Sequence, residues 1–322
     1  MRMPLLIVRL PNHLGDACMA LPAIQCLAGS AESMALAGRP WAVELFAAMP
    51  WPVIALPADR KQSIGALRAA LQARPREVES LLLTNSFSSA LEFRLAGARP
   101  SGYATDGRRL LLHEAIAVPR EWAGDMHTAA YYLHLAQAYR QRHGAAAPAR
   151  RTAAAPAPHL NVAESARGRC AAALAAAGVA TPYVVLCPTA RGLHRGREKC
   201  WDGFGRLADE LQAAGQAVVV CPGPGEADAA RAAVPGAPLL EALDLGAFAA
   251  LLAGSRLVVA NDSGPGHLAA AVGATLVGVF GVTDPTKTRP LGPAVHIIGG
   301  MAGWPAYGAV ADQVRALLAG AA

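Results

Sequence analysis

Short apolar runs alternate with helix-compatible stretches along most of this chain, and that alternation narrows the fold more than any other feature. In the first half, Leu5 to Leu10, Ala42 to Phe46, Val53 to Leu56 and Val78 to Thr84 read as strands. Ala17 to Ala28, Ser63 to Ala73, Ser88 to Ala96 and His127 to Arg142 read as helices. The second half repeats the pattern, with strands predicted at Tyr183 to Leu186, Ala217 to Cys221, Leu257 to Ala260 and Thr275 to Phe280. Its helices are predicted at about Trp201 to Ala214, Glu226 to Ala233, Leu245 to Ala253, Gly266 to Val272 and Ala309 to Ala319. Apolar strands separated by helices point to a parallel sheet covered on both faces. One interruption falls near the midpoint: Gly144 to Pro158 is rich in Ala, Pro and Arg, lacks periodicity, and reads as a linker. The expectation is an α/β protein of two doubly wound domains, residues 1–150 and 159–322, with a ligand cleft between them.

Composition removes several classes. At 53% apolar and 16% charged residues the chain is folded, not disordered. A net charge of +6 permits an anionic ligand or an anionic membrane surface. The arginines are scattered and no aromatic-interleaved basic stripe is present, so no nucleic-acid partner is expected. Met1-Arg2-Met3-Pro4 leads straight into an apolar strand without a cleavage site, so no signal peptide is expected. Nothing approaches a membrane span of ~20 apolar residues. Cys18, Cys26, Cys170, Cys187, Cys200 and Cys221 contain no Cys-x-x-Cys pair, which leaves reduced thiols in a cytoplasmic protein as the expectation, with no metal site.

The chemistry-bearing residues sit where strands hand over to helices. After Leu257 to Ala260 comes Asn261-Asp262-Ser263-Gly264-Pro265-Gly266-His267, which opens an alanine-rich helix. Backbone N–H groups, a small hydroxyl and the positive end of a helix dipole meet there, an arrangement suited to a phosphate. Asp262 and His267 could contact a sugar; equally, Asp262 or Ser263 could simply cap the helix. Pro188-Thr189-Ala190 follows another strand, and His194, Arg195, Arg197 and Lys199 add cations beyond it, suiting either a diphosphate or a solvated basic loop. In Cys221-Pro222-Gly223-Pro224-Gly225-Glu226 the carboxylate could accept ribose hydroxyls or complement a helix N-terminus. Thr283 and Asp284 shape a fourth such turn, Gly281 to Pro285.

The first strand ends in Pro11-Asn12-His13-Leu14-Gly15-Asp16. Asp16 is either a helix cap or a carboxylate able to take a proton from an attacking hydroxyl. Gly15 would admit a substrate close to the backbone, and His13 is a second candidate base or a solvated side chain. Absences matter as well. No Walker loop, dinucleotide-binding glycine triplet or nucleophile elbow is present. No Asp-x-Asp occurs, so a sugar transferase built here would neutralise its leaving diphosphate with Lys, backbone N–H groups and a helix dipole.

Taken together, these motifs resemble the bacterial lipopolysaccharide heptosyltransferases (glycosyltransferase family 9), and most closely their type II, inner-core branch. The resemblance runs through Ile7-Val8-Arg9-Leu10-Pro11-Asn12-His13-Leu14-Gly15-Asp16-Ala17, Thr84 to Ala90, Leu95 to Arg99, Glu198-Lys199-Cys200-Trp201, Asn261 to Ala269 and Phe280 to Pro285. It implies a GT-B architecture and inverting, metal-independent transfer of a heptose from ADP-heptose to the lipopolysaccharide inner core. By that likeness Asp16 is the general base, with Asn12, His13 and Gly15 on the acceptor side. Lys199, Thr189 and the N–H groups of Ser263 and Gly264 hold the diphosphate, Asp262 contacts the heptose, and His267 lies near the phosphates or sugar. Glu226 meets the ribose and the backbone around Leu243 faces the adenine. It further implies a lipid-linked anionic saccharide acceptor, peripheral contact with the cytoplasmic face of the inner membrane, no cofactor, and a last helix that packs back on the N-terminal domain. Cys200 stands where a basic residue is usual, Asp202 where proline is usual, and Pro265-Gly266 replaces a bulkier residue before His267. Two other readings use the same motifs: transfer of a different nucleotide sugar to a capsular or other glycan, and a non-catalytic sugar-nucleotide binder.

Overall fold

In the computed structural model, parallel strands build a separate sheet in each of two units, Met1–Pro156 and Ala157–Ala322. The residues described are 5–29, 33–73, 78–144, 155–190, 192–194, 196–241 and 243–320. Most of the expected linker, the chain start, Arg191 and Arg195 lie outside them.

The first unit's strands are β1 (Leu5–Arg9), β2 (Met34–Gly38), β3 (Val53–Ala55), β4 (Val78–Leu82), β5 (Arg99–Tyr103) and β6 (Glu114–Ile116). They pair in the order β3-β2-β1-β4-β5-β6, all parallel. Helices α1 (Leu14–Met19), α2 (Leu21–Ala28), α3 (Ala42–Leu45), α4 (Arg60–Gln72), α5 (Phe87–Leu95) and α6 (Thr128–Arg142) make the connections and cover the sheet. Ile7, Ala37, Leu82 and Leu67 pack with Ala90 and Phe93 of α5 in one core cluster. Three helices start on side-chain caps: Asp59 accepts from Gln62 N–H, Ser86 from Ser89 N–H and His127 from Ala129 N–H. The run Ala42 to Phe46, expected as a strand, is helical instead. A brief apolar run carries too few residues to separate the two periods. Here the turn Arg39–Ala42, closed by Ala42 N–H to the Arg39 carbonyl, reverses the chain immediately after β2.

The second unit's sheet contains β7 (Tyr183–Cys187), followed after a two-stranded hairpin of β8 (Leu193–His194) and β9 (Arg197–Glu198) by β10 (Ala217–Val220), β11 (Leu257–Asn261), β12 (Leu276–Phe280) and β13 (Val295–Gly299). Its order is β10-β7-β11-β12-β13, again parallel. A single parallel bridge, Val220 with Leu239, stands beyond β10 where the first unit has a full third strand. Both units therefore carry the same doubly wound order, whose direction of winding reverses between β1 and β4 and between β7 and β11.

Helices α7 (Glu164–Ala176), α8 (Phe204–Ala213), α9 (Ala227–Ala233), α10 (Leu245–Ala253), α11 (Gly264–Ala271), α12 (Pro285–Thr288) and α13 (Tyr307–Gly320) complete the second unit. The final helix, expected to pack back on the N-terminal domain, puts Val310, Ala311 and Val314 into a core with Val184, Leu186, Phe204 and Val259. Its apolar stripe is matched to the second unit's own sheet.

Candidate functional site

Open α/β sheets bind ligands beyond the carboxyl ends of the strands where the winding reverses. In the second unit those ends are Cys187 and Asn261, and the loops leaving them are Pro188–Ala190 and Asp262–Ser263. The chain enters α11 without a side-chain cap: Ser263 stands at the N-cap position but its hydroxyl donates to the Asn261 carbonyl at 3.1 Å. Pro265 brings no N–H, so the amides of Ser263, Gly264 and Gly266 are the donors at that helix end. Neither Asp262 nor Ser263 is the helix cap that local sequence also allowed.

Asp262 is 9% exposed, and its carboxylate takes no hydrogen bond or ion pair from any described residue. Its backbone is held on both sides, the N–H donating to Val279 O at 3.2 Å and the carbonyl accepting Lys199 Nζ at 3.2 Å. Lys199 is partly buried and likewise has no carboxylate partner among the described residues. A cation and an anion thus converge on one helix N-terminus without neutralising each other. Such a pair can take a ligand that offers anionic oxygens to one and hydroxyls to the other.

Asn261 is 1% exposed and holds the surrounding segments together. Its Oδ1 accepts Trp201 N–H at 3.0 Å, and its Nδ2 donates to Pro188 O at 2.6 Å. Trp201 is buried against Phe204 and stacks on Tyr307 at 5.9 Å. Thr189 and Glu226 engage each other: the Thr189 hydroxyl donates to Glu226 Oε2 at 2.8 Å, and Gly223 N–H donates to the same oxygen at 3.2 Å. Glu226 occupies the N-cap position of α9 without capping it, and its carboxylate ties the loop after β7 to the loop after β10. His267, 5% exposed, lies within α11 facing the interior. Leu243 is half-buried and precedes Asp244, which caps α10 and is bridged by Arg169 at 2.8 Å. Asp284 caps α12, as the turn-shaping role required, while the buried Thr283 hydroxyl has no partner among the described residues.

In the first unit the corresponding loop follows β1. Asp16 sits in the first turn of α1, whose N-cap is His13, and no side chain caps that helix. The cap reading of Asp16 is therefore not realised. Burial pushes the Asp16 carboxyl above its ordinary value, against the opposing pull of His13 and of a hydrogen bond donated by Tyr132. The Tyr132 phenol, buried beside it, is raised well above the usual range by desolvation and by the Asp16 charge, so it stays a donor. Asn12 and His13 are exposed, and Asn12 Oδ1 accepts Arg9 Nη2 at 2.6 Å. Arg9 is buried at 3% exposure; desolvation and the neighbouring Arg39 bring its guanidinium down to about 10. Gly15 follows Leu14 in the same first turn, half-buried.

Tyr132 and Asn261 are the residues to which the sequence assigned no role. Asn261 was visible inside its motif, but nothing in the spacing marks Trp201 and Pro188 as its partners. Tyr132 belongs to a helix whose repeated aromatics, Tyr131, Tyr132 and Tyr139, give no sign of which one meets Asp16.

The chain belongs to glycosyltransferase family 9 (heptosyltransferase), whose family model matches residues 66–309. Among curated relatives, lipopolysaccharide heptosyltransferase 3 of Escherichia coli is 36% identical over 124 residues, 35% of this chain and 35% of that protein. The match thus spans about a third of the relative's length. Among solved structures, E. coli ADP-heptose LPS heptosyltransferase II superposes with a TM-score of 0.77 at 22% identity, covering 99% of both chains. A glycosyltransferase family 9 protein of Veillonella parvula gives 0.81 at 16% identity, covering 99% of this chain and 98% of that one. An E. coli heptosyltransferase solved with ADP gives 0.71 at 18% identity, covering 99% and 100%. These likenesses are of fold, and the two-unit α/β fold is common to all of them. Among the described residues no helix is long and apolar enough to cross a membrane.

Proposed function

We propose that the chain transfers a heptose from ADP-heptose to a saccharide of the lipopolysaccharide inner core, with inversion at the anomeric carbon and without a metal ion. The observation that carries this reading is the Lys199 ammonium and the Asp262 carboxylate, neither with an ion-pair partner among the described residues, at the start of α11, which no side chain caps. A nucleotide sugar answers both, its diphosphate taking the ammonium and helix N–H groups and its sugar hydroxyls taking the carboxylate. Family relatives support the identity of the donor: one solved structure holds ADP and another ADP-2-deoxy-2-fluoro heptose.

In this reading Asp16 takes the proton of the acceptor hydroxyl as its oxygen attacks the anomeric carbon, and the bond to the diphosphate breaks on the opposite face. ADP departs with its new charge held by Lys199 and the N–H groups of Ser263 and Gly264. Asp262 orients the heptose. Glu226 stands toward the ribose across the loop it shares with Thr189, and Leu243 toward the adenine. Asn12, His13 and Gly15 border the acceptor hydroxyl. The positive balance of the chain suits a phosphorylated, lipid-linked acceptor presented at the cytoplasmic face of the inner membrane.

Mass spectrometry of the saccharide product after incubation with ADP-heptose and truncated core acceptors tests the proposal. A product heavier by one heptose, formed equally well in the presence of EDTA, is expected. Tighter binding of UDP or GDP than of ADP would defeat the donor assignment.

A further inference from the structure

The Asn261 side chain joins segments that the sequence keeps far apart, and each of them carries a group of the donor pocket. Trp201, whose N–H it accepts at 3.0 Å, stands beside the Lys199-Cys200 pair. Pro188, to whose carbonyl it donates at 2.6 Å, precedes Thr189. Its own carbonyl accepts the Ser263 hydroxyl at 3.1 Å, next to Asp262, whose carbonyl receives Lys199 Nζ.

The Trp201 amide is not free to drift. Its indole is pinned between Phe204 at 5.4 Å and Tyr307 at 5.9 Å. A Cβ on Gly203 would overlap that ring, so the chain turns tightly underneath it. With indole and amide both fixed, the reach of Lys199 is measured from an anchored point. A primary amide is the side chain that can do this: it offers one acceptor and one donor on a single plane, whereas a carboxylate lacks the donor and an aliphatic group lacks both.

We propose that Asn261 is the positioning residue of the donor site, setting where the Lys199 ammonium and Thr189 lie relative to the first turn of α11. This deepens the donor-site reading above and rests on it. Asn261 touches no substrate in this role; it acts through Trp201 and Pro188.

The test combines two measurements on the full chain. In the first, amide hydrogen exchange is followed without ligand: Asn261→Ala should expose the Trp201 amide at least about tenfold, while Val259 in β11 keeps its protection, and Asn261→Asp, which retains the acceptor, should leave Trp201 protected. In the second, ADP is titrated into the parent, Asn261→Ala, Lys199→Ala and the double variant. Asn261→Ala should weaken ADP about tenfold, and Lys199→Ala should then cost less than about twofold more, because the ammonium is already misplaced. Should Asn261→Ala fail to fold, Asn261→Leu, similar in size but without donor or acceptor, takes its place in both measurements, with the same loss of Trp201 protection and the same departure from additivity expected. A purely structural role would lower the melting temperature yet leave Lys199→Ala its full cost in the Asn261 background, and that result overturns the proposal. An unchanged Trp201 amide in Asn261→Ala also overturns it. If the parent binds no ADP, the donor reading falls, while the exchange measurement still decides whether Asn261 holds the Lys199 segment.

Discussion

Asp16 and Asp262 each stand beside a reversal of the sheet winding, Asp16 after β1 in the first unit and Asp262 after β11 in the second, and each lies at the opening of a helix. Their surroundings differ in kind. Asp16 is raised above its ordinary value by burial, with Tyr132 donating to it and His13 nearby. Asp262 has its backbone fixed on both sides and its carboxylate left without a partner among the described residues. The first environment suits a group that gains and loses a proton. The second suits one that accepts hydrogen bonds from a ligand. Position in a doubly wound sheet selects where a ligand sits; the local donors and the burial select what the carboxylate does there.

The sharpest way to break this contrast is Asp16→Asn. Turnover should fall by about 10²-fold or more while ADP binding is retained. Unchanged turnover would remove Asp16 from the chemistry. The same variant tests the cost of the site. The folded-state pKa of Asp16 lies above the ordinary 3.8, so the native chain binds the extra proton more readily than the unfolded one. Stability therefore falls as pH rises from 3.8 through the raised value, and the charged form carries the full penalty above it. A neutral amide in its place carries no such penalty. The melting temperature of Asp16→Asn should exceed that of the parent at neutral pH, and the gain should shrink on acidification; a variant no more stable at neutral pH would contradict the desolvated carboxyl.

How much of this was legible beforehand depends on which link is asked about. The strand-end turns were legible because glycine, proline and short polar residues after an apolar run mark them directly, which located the loops of Asp16, Thr189, Glu226 and Asp262. Strand β2, Met34–Gly38, was not, because alanine and glycine give it little of the β-branched signature, and the nearby run Ala42 to Phe46 reads as a strand instead. Strand β5 reads Arg-Pro-Ser-Gly-Tyr, and a proline there argues against an inner strand, yet β5 lies between β4 and β6. The chemistry at the strand ends was visible as candidates. What fixes it was not: the Asn261 bonds to Trp201 and Pro188 and the Tyr132 bond to Asp16 are tertiary, and no local spacing encodes them.

Smaller effects sharpen the comparison from the second unit. On the proposed reading Lys199→Ala removes a charge-assisted hydrogen bond to the diphosphate, and it should weaken ADP about tenfold or more, the loss shrinking at high salt. Asp262→Asn should act on the sugar instead. Its donor KM should rise several-fold, roughly the effect of one hydrogen bond, while ADP binds at least as tightly because a negative charge near the diphosphate is gone. Equal weakening of ADP and ADP-heptose would place the carboxylate on the nucleotide and erase the distinction between the two aspartates.

The mildest substitution, Tyr132→Phe, addresses the Asp16 environment alone. The phenol stabilises the ionised carboxylate, and desolvation already outweighs that help. Removing the hydroxyl should drive the Asp16 value further up, since the charged form loses its donor while burial stays the same. A base must be ionised to accept a proton, so the acidic limb of the kcat/KM profile should move to higher pH. At alkaline pH, where Asp16 is ionised in both proteins, the rates should converge to within a few-fold. Tyr132 itself cannot account for such a shift, because its own proton is held well above the usual range. The control is the same substitution made in Asp16→Asn: there the residual activity should show no displaced limb. A limb that moves to lower pH in Tyr132→Phe, or that moves equally without Asp16, would mean that the phenol orients the acceptor instead of tuning the base.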